Sequence, residues 1–194
     1  MTRSFITWLV ALLSMTLLGC AKSPHDLNAQ SEVDWLPSPA SYQGRLHTQQ
    51  LMTIEYQQRQ HRLQMILEID PSQVTLVGLS NFSVPVFNMS WDGVDLNSRS
   101  SLPVDTQVFS AQRVMEDIML ALWPSSALES LLSYKGWSME QHTVQRHFLD
   151  KYHHKVMTID YLNPQDTEGV IHVHYHDLNV SYQLETLLWD ATNE

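Results

Sequence analysis

The stretch GVIHVHYH, residues 169–176, alternates apolar and histidine side chains from its third residue onward. Successive side chains of a β-strand point to opposite faces, so the apolar members share one face and the histidines share the other. A strand of this kind is typical of an antiparallel sheet that has its core on one side and water on the other. The apolar face is formed by Ile171, Val173 and Tyr175, and the wet face by His172, His174 and His176.

Similar strand patterns lie on both sides of this stretch. Runs that alternate, or are continuously apolar, recur roughly every ten residues between turn signals such as Pro71 and Asp92-Gly93. The polar QRQH, residues 58–61, is expected to be the hairpin turn between the first two runs. The sequence therefore predicts about eight strands. The other seven runs are LMTIEYQ (51–57), RLQMILEID (62–70), QVTLVGLS (73–80), VPVFNMSW (84–91), HTVQRHFL (142–149), KVMTIDYL (155–162) and NVSYQLETLLW (179–189).

An amphipathic helix separates the two halves of this strand series. Ser110 is a candidate N-cap, and Val114, Ile118 and Leu122 recur at intervals of four residues. The helix is expected to end at Trp123, because the following proline disfavours helical geometry in the residue before it.

The polar side of this helix carries Glu116 and Asp117, for which solvation is the ordinary explanation. A second short helix is predicted over residues 127–133. Its start is indicated by SALE (126–129), which has the pattern of a capping box, and its end by Gly136.

These elements predict an α+β fold, in which a strongly curved antiparallel sheet has two helices over one open side. The apolar stripes of the strands and of the helix would equally suit an ordinary packed core. One compact domain, residues 42–194, would hold all of them.

The first nineteen residues, MTRSFITWLVALLSMTLLG, predict a cleaved signal peptide. A single cation precedes an apolar run of about fourteen residues, short of the roughly twenty that cross a bilayer as a helix. The following cysteine completes LLGC (17–20), which resembles a bacterial lipobox. Cys20 is therefore expected to be lipidated, and several acyl chains at one residue give stable membrane attachment. The alternative is a buried thiol within a membrane-spanning anchor.

Residues 20–41 are rich in proline and serine, and their apolar residues do not recur at the regular spacing of a helix or strand. They are therefore predicted to be a lipidated tether. Trp35 and Leu36 are the members of the tether best suited to dock on the domain. Ala21 stands where the familiar inner-membrane retention signal has aspartate. By resemblance to that sorting rule, the protein is expected on the periplasmic face of the outer membrane.

The acidic balance of the chain argues against nucleic acid as a partner. Its net charge is −10, with 11 Lys and Arg against 21 Asp and Glu. Such a surface is repelled by phosphates, and no basic cluster stands out that could neutralise them.

The order of lipobox, tether, strands, helix pair and further strands, over roughly residues 42–189, resembles the periplasmic lipoprotein carrier and receptor fold of LolA and LolB. That resemblance implies an incomplete barrel whose helices act as a lid over an apolar cavity for acyl chains. More closely, the chain resembles an uncharacterised proteobacterial outer-membrane lipoprotein family whose members often accompany aryl polyene pigment biosynthesis genes.

The function implied by this resemblance is the binding or transfer of a hydrophobic, acyl-bearing ligand, such as a lipoprotein or a polyene lipid. A periplasmic lipoprotein carrier is then an expected partner, together with the membrane that holds the N-terminal lipid. The alternative is a non-catalytic structural or interaction lipoprotein of an envelope assembly. The residues expected to line the cavity are Val114, Ile118, Leu122, Met157, Ile159, Tyr161, Val173 and Tyr175.

The lipoprotein receptor also projects an exposed apolar residue from a loop between two early strands, and that residue matters for delivery into the membrane. The matching region here is LSNFSVPV, residues 79–86, which makes Phe82 the candidate for membrane contact. The alternative is that Phe82 folds back into the core.

No catalytic motif is evident, and neither an enzyme nor a cofactor is predicted. The histidines of GVIHVHYH are the remaining chemical candidates. The outer two, His172 and His176, are about 13 Å apart along the backbone by the rise of a strand. At most one adjacent pair could therefore share a metal, and without a clear third ligand no metal site is predicted.

Overall fold

The structure of the protein is a computed structural model that describes residues 33–56, 59–101, 110–162, 169–178 and 180–192. All of them belong to one compact unit, which spans Ser31–Glu194. The predicted signal peptide and Cys20 lie outside the described residues.

Ten antiparallel strands form one sheet in the order β5-β4-β3-β2-β1-β10-β9-β8-β7-β6. The first and last strands of the chain pair at its centre, and β5 and β6 form its two edges. Since the two edges do not pair with each other among the described residues, the sheet is open. The strands are β1 (Arg45–Tyr56), β2 (Arg59–Asp70), β3 (Gln73–Leu79), β4 (Pro85–Trp91), β5 (Leu96–Ser100), β6 (Ser138–Gln141), β7 (Gln145–Leu149), β8 (Lys155–Leu162), β9 (Val170–Tyr175) and β10 (Val180–Thr192).

Two α-helices connect β5 to β6 and cover one face of the sheet. Helix α1 spans Ala111–Leu122 and helix α2 spans Glu129–Lys135, with a 3-10 turn at Ser125–Ala127 between them. None of the helices among the described residues is long and apolar enough to span a membrane.

The reach of α1 requires the sheet to curve strongly around it. Helix α1 contacts edge strand β5, and Arg146 of β7 and Tyr161 of β8 donate hydrogen bonds to its last-turn carbonyls. A flat sheet would separate β5 from β7 by about 38 Å, at about 4.8 Å per strand. A 12-residue helix is only about 18 Å long. We call the face that packs on α1 the concave face and the opposite face the outer face.

The predicted alternation of strand faces is confirmed. In β9, the side chains of Ile171, Val173 and Tyr175 are buried on the concave face, whereas those of His174 and of His176, the residue that follows the strand, are exposed on the outer face. The histidine stretch therefore sets the register of the strand, as expected from its period.

The described residues form ten strands and not about eight, because the two edge strands were not predicted. Strand β5 reads LNSRS and β6 reads SMEQ. Both are short and largely exposed, so neither carries the alternating apolar pattern that identifies a half-buried strand.

Two predicted turn and cap details are wrong. Residues 59–61 of the expected QRQH turn already belong to β2 and pair with β1. The expected capping box at residues 126–129 is absent, since Ser126 lies in the 3-10 turn and α2 begins at Glu129 without a side-chain cap. The predicted C-cap is correct: Gly136 adopts the left-handed conformation at φ 66°.

The end of the predicted tether is part of the domain. Val33 and Leu36 are buried in the core. The indole nitrogen of Trp91 donates to the carbonyl of Pro37 at 2.8 Å, and that of Trp123 donates to the hydroxyl of Ser41 at 3.0 Å. The domain therefore begins before the expected boundary at residue 42.

Candidate functional site

Helix α1 is buried on nearly all of its sides. Its start is the predicted one, because the Ser110 hydroxyl accepts a hydrogen bond from the backbone N–H of Arg113. Every residue from 115 to 121 is buried, including both carboxylates, Glu116 and Asp117. The expectation that these carboxylates are solvated is wrong, since the curved sheet covers one side of α1 and α2 contributes to covering another.

Asp117 lies beneath α1 against the concave face and accepts hydrogen bonds from two tyrosines. The Tyr175 hydroxyl donates to Oδ1, and the Tyr182 hydroxyl donates to Oδ2 at 3.0 Å. The guanidinium of Arg113 sits over the Tyr175 ring, 4.8 Å from its centroid. We refer to Arg113, Asp117, Tyr175 and Tyr182 as the polar cluster.

Burial dominates the electrostatics of the polar cluster. Desolvation raises the pKa of Asp117 from 3.8 to about 6, although the Tyr175 hydrogen bond, the charge of Lys135, the Tyr182 hydrogen bond and the charge of Arg113 all act in the opposite direction. Burial and the nearby Asp117 charge raise the pKa of both tyrosines well above 10.0, so they remain hydrogen-bond donors at neutral pH.

The second buried carboxylate links the two helices. Glu116 forms a salt bridge with Lys135 of α2 at 2.5 Å and accepts a hydrogen bond from the Gln112 side chain at 2.9 Å. Lys135 also lies 4.8 Å from the ring centroid of Trp137. The two helices are therefore joined by a largely buried pair that would be costly to break by removal of one partner alone.

Two small cavities flank Asp117. One, of about 10 Å³, is lined by Arg113 and both tyrosines of the polar cluster, and the other, of about 20 Å³, reaches Gln50 and Met65. Each is large enough for about one water molecule and far too small for an acyl chain. Gln50 Nε2, beside the larger cavity, is buried without a hydrogen-bond partner among the described residues.

The structure brings the predicted cavity-lining residues together beneath and along α1, where they pack as core. Three, Tyr161, Val114 and Leu122, are partly buried, and the other five are buried. Those on α1 and those on the sheet belong to one core cluster. The residues buried in the core are Ile118, Met157, Ile159, Val173 and Tyr175.

The expected membrane loop presents two exposed apolar side chains. Phe82 is 89% exposed and Val84 is 56% exposed. The loop is ordered by Ser80, whose hydroxyl accepts from the backbone N–H groups of Phe82 at 3.4 Å and Val84 at 3.3 Å. Ser83 donates its N–H to the Ser80 carbonyl at 2.8 Å and has a φ of 57°. Phe82 is therefore not a core residue, and its role at a membrane stays a prediction.

Sequence reasoning missed the carboxylate of the polar cluster. Strand alternation predicts that the side chains of Tyr175 and Tyr182 point inward, but nothing in the two strands indicates what their hydroxyls bind. A signal was present in α1, because Asp117 lies three residues after Val114 and four before Ala121, within the apolar stripe.

Comparison with known proteins identifies the family of the chain. No curated protein matched the chain. The family model described as "Protein of unknown function (DUF3261)" matches residues 47–188, a range that contains α1, α2 and the polar cluster. On this match the chain belongs to the DUF3261 family.

Proposed function

We propose that the protein is a lipid-anchored, periplasm-facing lipoprotein of the outer membrane that binds or passes on a hydrophobic, acyl-bearing molecule. Attachment is through Cys20, and the ligand enters between α1 and the concave face. A lipoprotein and a polyene lipid are both of the required chemical class, and a periplasmic lipoprotein carrier is the partner that would deliver or receive the first of these.

The observation that carries this proposal is the way in which α1 covers the concave face. The helix covers a continuous apolar surface, but one of the side chains that it packs against that surface, Asp117, is ionisable. An ionised carboxylate without a full salt bridge makes a buried interface less stable than an apolar one. When α1 moves away, the Asp117 carboxylate regains water, which offsets part of the free energy lost from apolar contacts.

The magnitude of this effect is large enough to matter. A pKa of about 6 in place of 3.8 corresponds to a penalty on the order of 3 kcal/mol for the ionised, closed state at neutral pH. The buried apolar side chains of α1, Met115, Ile118, Met119 and Leu120, each contribute about 1.5 to 3 kcal/mol, so together they exceed this penalty. The polar cluster thus lowers the cost of opening without abolishing the closed state.

The loop that carries Phe82 supports a role at a membrane. A single exposed apolar side chain is ordinary, but here two lie on one turn that is held by four hydrogen bonds. Because the turn is already ordered, insertion of Phe82 and Val84 into a lipid surface costs little conformational entropy.

Binding of an apolar ligand tests this proposal directly. The full chain with Cys20→Ser, purified without harsh detergent, is expected to carry acyl chains in native mass spectra and to take up an apolar fluorescent dye. Asp117→Asn should slow dye uptake at neutral pH, since it removes the ionised group that favours opening.

Asp160→Asn is the matched control, because Asp160 is a partly buried carboxylate on the outer face that accepts from the Gln145 side chain at 2.6 Å. It should leave dye uptake unchanged. Absence of both bound acyl chains and dye uptake in the parent chain would contradict the proposed function.

A second candidate, a structural or interaction lipoprotein of an envelope assembly, is favoured by the small volume of the cavities beside Asp117. This candidate expects no ligand and a partner protein that is retained after crosslinking in intact cells. The same native mass spectra therefore separate the two candidates.

A further inference from the structure

A cluster of three potential metal ligands lies on the outer face at the β6–β7 hairpin, remote from the polar cluster. Glu140, His142 and His147 each offer one ligand atom, and these atoms lie within 4.8 Å of one another. This trio is distinct from the histidine row of β9, which the sequence pattern had singled out.

Strand register explains why the three side chains converge. Glu140 lies in β6 and pairs directly with His147 of β7, so their side chains stand side by side on one face. His142 follows Glu140 by two residues, which favours the same face, and its backbone N–H donates to the Gln145 carbonyl at 2.8 Å to close the turn. The geometry is fixed by the hairpin and not by long flexible loops.

The distances suit a tetrahedral ion of zinc size. Glu140 Oε2 is 3.9 Å from His142 Nε2 and 3.8 Å from His147 Nδ1. Tetrahedral Zn²⁺, with ligands at about 2.0 to 2.1 Å, needs neighbouring ligand atoms about 3.3 Å apart. The two carboxylate–histidine pairs would contract by about 0.5 Å, and the two histidine nitrogens, which lie within 4.8 Å of each other, by up to about 1.5 Å. Glu140 and His142 are free to make this adjustment, because their side chains are more than half exposed.

We propose that Glu140, His142 and His147 form a site for Zn²⁺ or a similar borderline divalent cation, with three protein ligands and a fourth position open to solvent. Two imidazole nitrogens and one carboxylate oxygen form a ligand set that zinc accepts, whereas Ca²⁺ and Mg²⁺ prefer oxygen ligands only. The acidic net charge of the chain further favours a cation. This site would clamp edge strand β6 to β7.

The histidine row of β9 is a poorer site on the same sheet face. His174 and His176 have ring centroids 4.6 Å apart, but His176 Nε2 already contacts the Thr158 hydroxyl at 2.9 Å. The carboxylate closest by pairing register, Asp160, stands opposite His172 and accepts from Gln145. The row therefore serves as an internal comparison for the proposed site.

Zinc titration of the full Cys20→Ser chain, purified without a polyhistidine tag, tests the site by calorimetry. One zinc ion per chain is expected, and His142→Ala and His147→Ala should each lower the affinity by at least about tenfold. Cobalt(II) added in place of zinc should give the intense visible absorption of tetrahedral coordination.

His174→Ala is the matched control, since it removes an exposed outer-face histidine and should leave zinc affinity unchanged. His142→Ala is the decisive variant, because its exposed side chain can be removed without harm to the fold. Retained affinity in His142→Ala, an equal loss in His174→Ala, or an octahedral cobalt spectrum would each overturn the site. None of these outcomes bears on ligand binding under α1, so the two proposals fail separately.

Discussion

At the scale of single residues, Asp117 gives the protein a specific dependence of stability on pH. Its pKa is about 6 in the folded chain, against the ordinary value of 3.8 for an aspartate, chiefly because burial disfavours the charged form. The folded state therefore binds the proton more tightly than the unfolded state. The resulting stabilisation is fully present below about pH 3.8 and is lost as the pH rises to about 6.

Asp117→Asn should remove this dependence, because the amide is nearly the same size and can still pair with both tyrosine hydroxyls. We compare the unfolding free energy of the variant with that of the parent at each pH. From about pH 4 to pH 7, the variant should gain on the order of 3 kcal/mol relative to the parent. Urea unfolding followed by circular dichroism at several pH values measures it. Parallel curves for the two proteins would show that Asp117 is not the group that titrates.

The two tyrosines of the polar cluster can be predicted from the alternation of side chains along their strands. Alternation alone places Tyr175 on the concave face, together with Tyr182 of the next strand. For Asp117, the general expectation that polar residues of a helix are solvated outweighs its position within the apolar stripe of α1, so the sequence does not assign its charge to the interior. Its burial follows from how far the sheet curves around α1, which is a tertiary property.

At the scale of elements, the β3–β4 turn is expected to act as an independent membrane contact. Phe82→Glu should reduce flotation of the Cys20→Ser chain with liposomes, because a charge at an 89% exposed position resists insertion into lipid. The unfolding free energy should change by no more than about 0.5 kcal/mol, as for other surface substitutions.

Val94→Glu is the control for this turn. Val94 is 71% exposed and lies between β4 and β5, outside the Phe82 turn. Equal losses of flotation in both variants would indicate a general effect of added negative charge and would remove the reason to assign membrane contact to Phe82.

The elements that could be read from the sequence are those with an apolar face. The start of α1 at Ser110 and the end of α2 at Gly136 follow from local capping chemistry, and eight strands follow from their periods. Edge strands β5 and β6 have no such face. They form because their neighbours β4 and β7 offer unpaired backbone groups, a cause that lies outside their own sequence.

At the scale of the whole molecule, the order of strands was the least predictable feature. Strands β1 and β10, which are the farthest apart in sequence, pair along most of their length at the centre of the sheet. Hairpins and turns fix only pairs that are adjacent in sequence, so the closure of the first strand on the last has no local signal. Much of the core therefore depends on contacts made across the full length of the domain.

The segment before β1 is expected to complete that core. A chain that begins at residue 43 should be less stable than one that begins at residue 33 by at least about 3 kcal/mol, since it loses the buried Val33 and Leu36 side chains. It also loses the acceptors of the Trp91 and Trp123 indole N–H groups, so both hydrogen bonds are lost. Urea unfolding of the two chains measures the difference. Equal midpoints and slopes would mean that this segment only rests on the surface and that the predicted boundary at residue 42 was energetically correct.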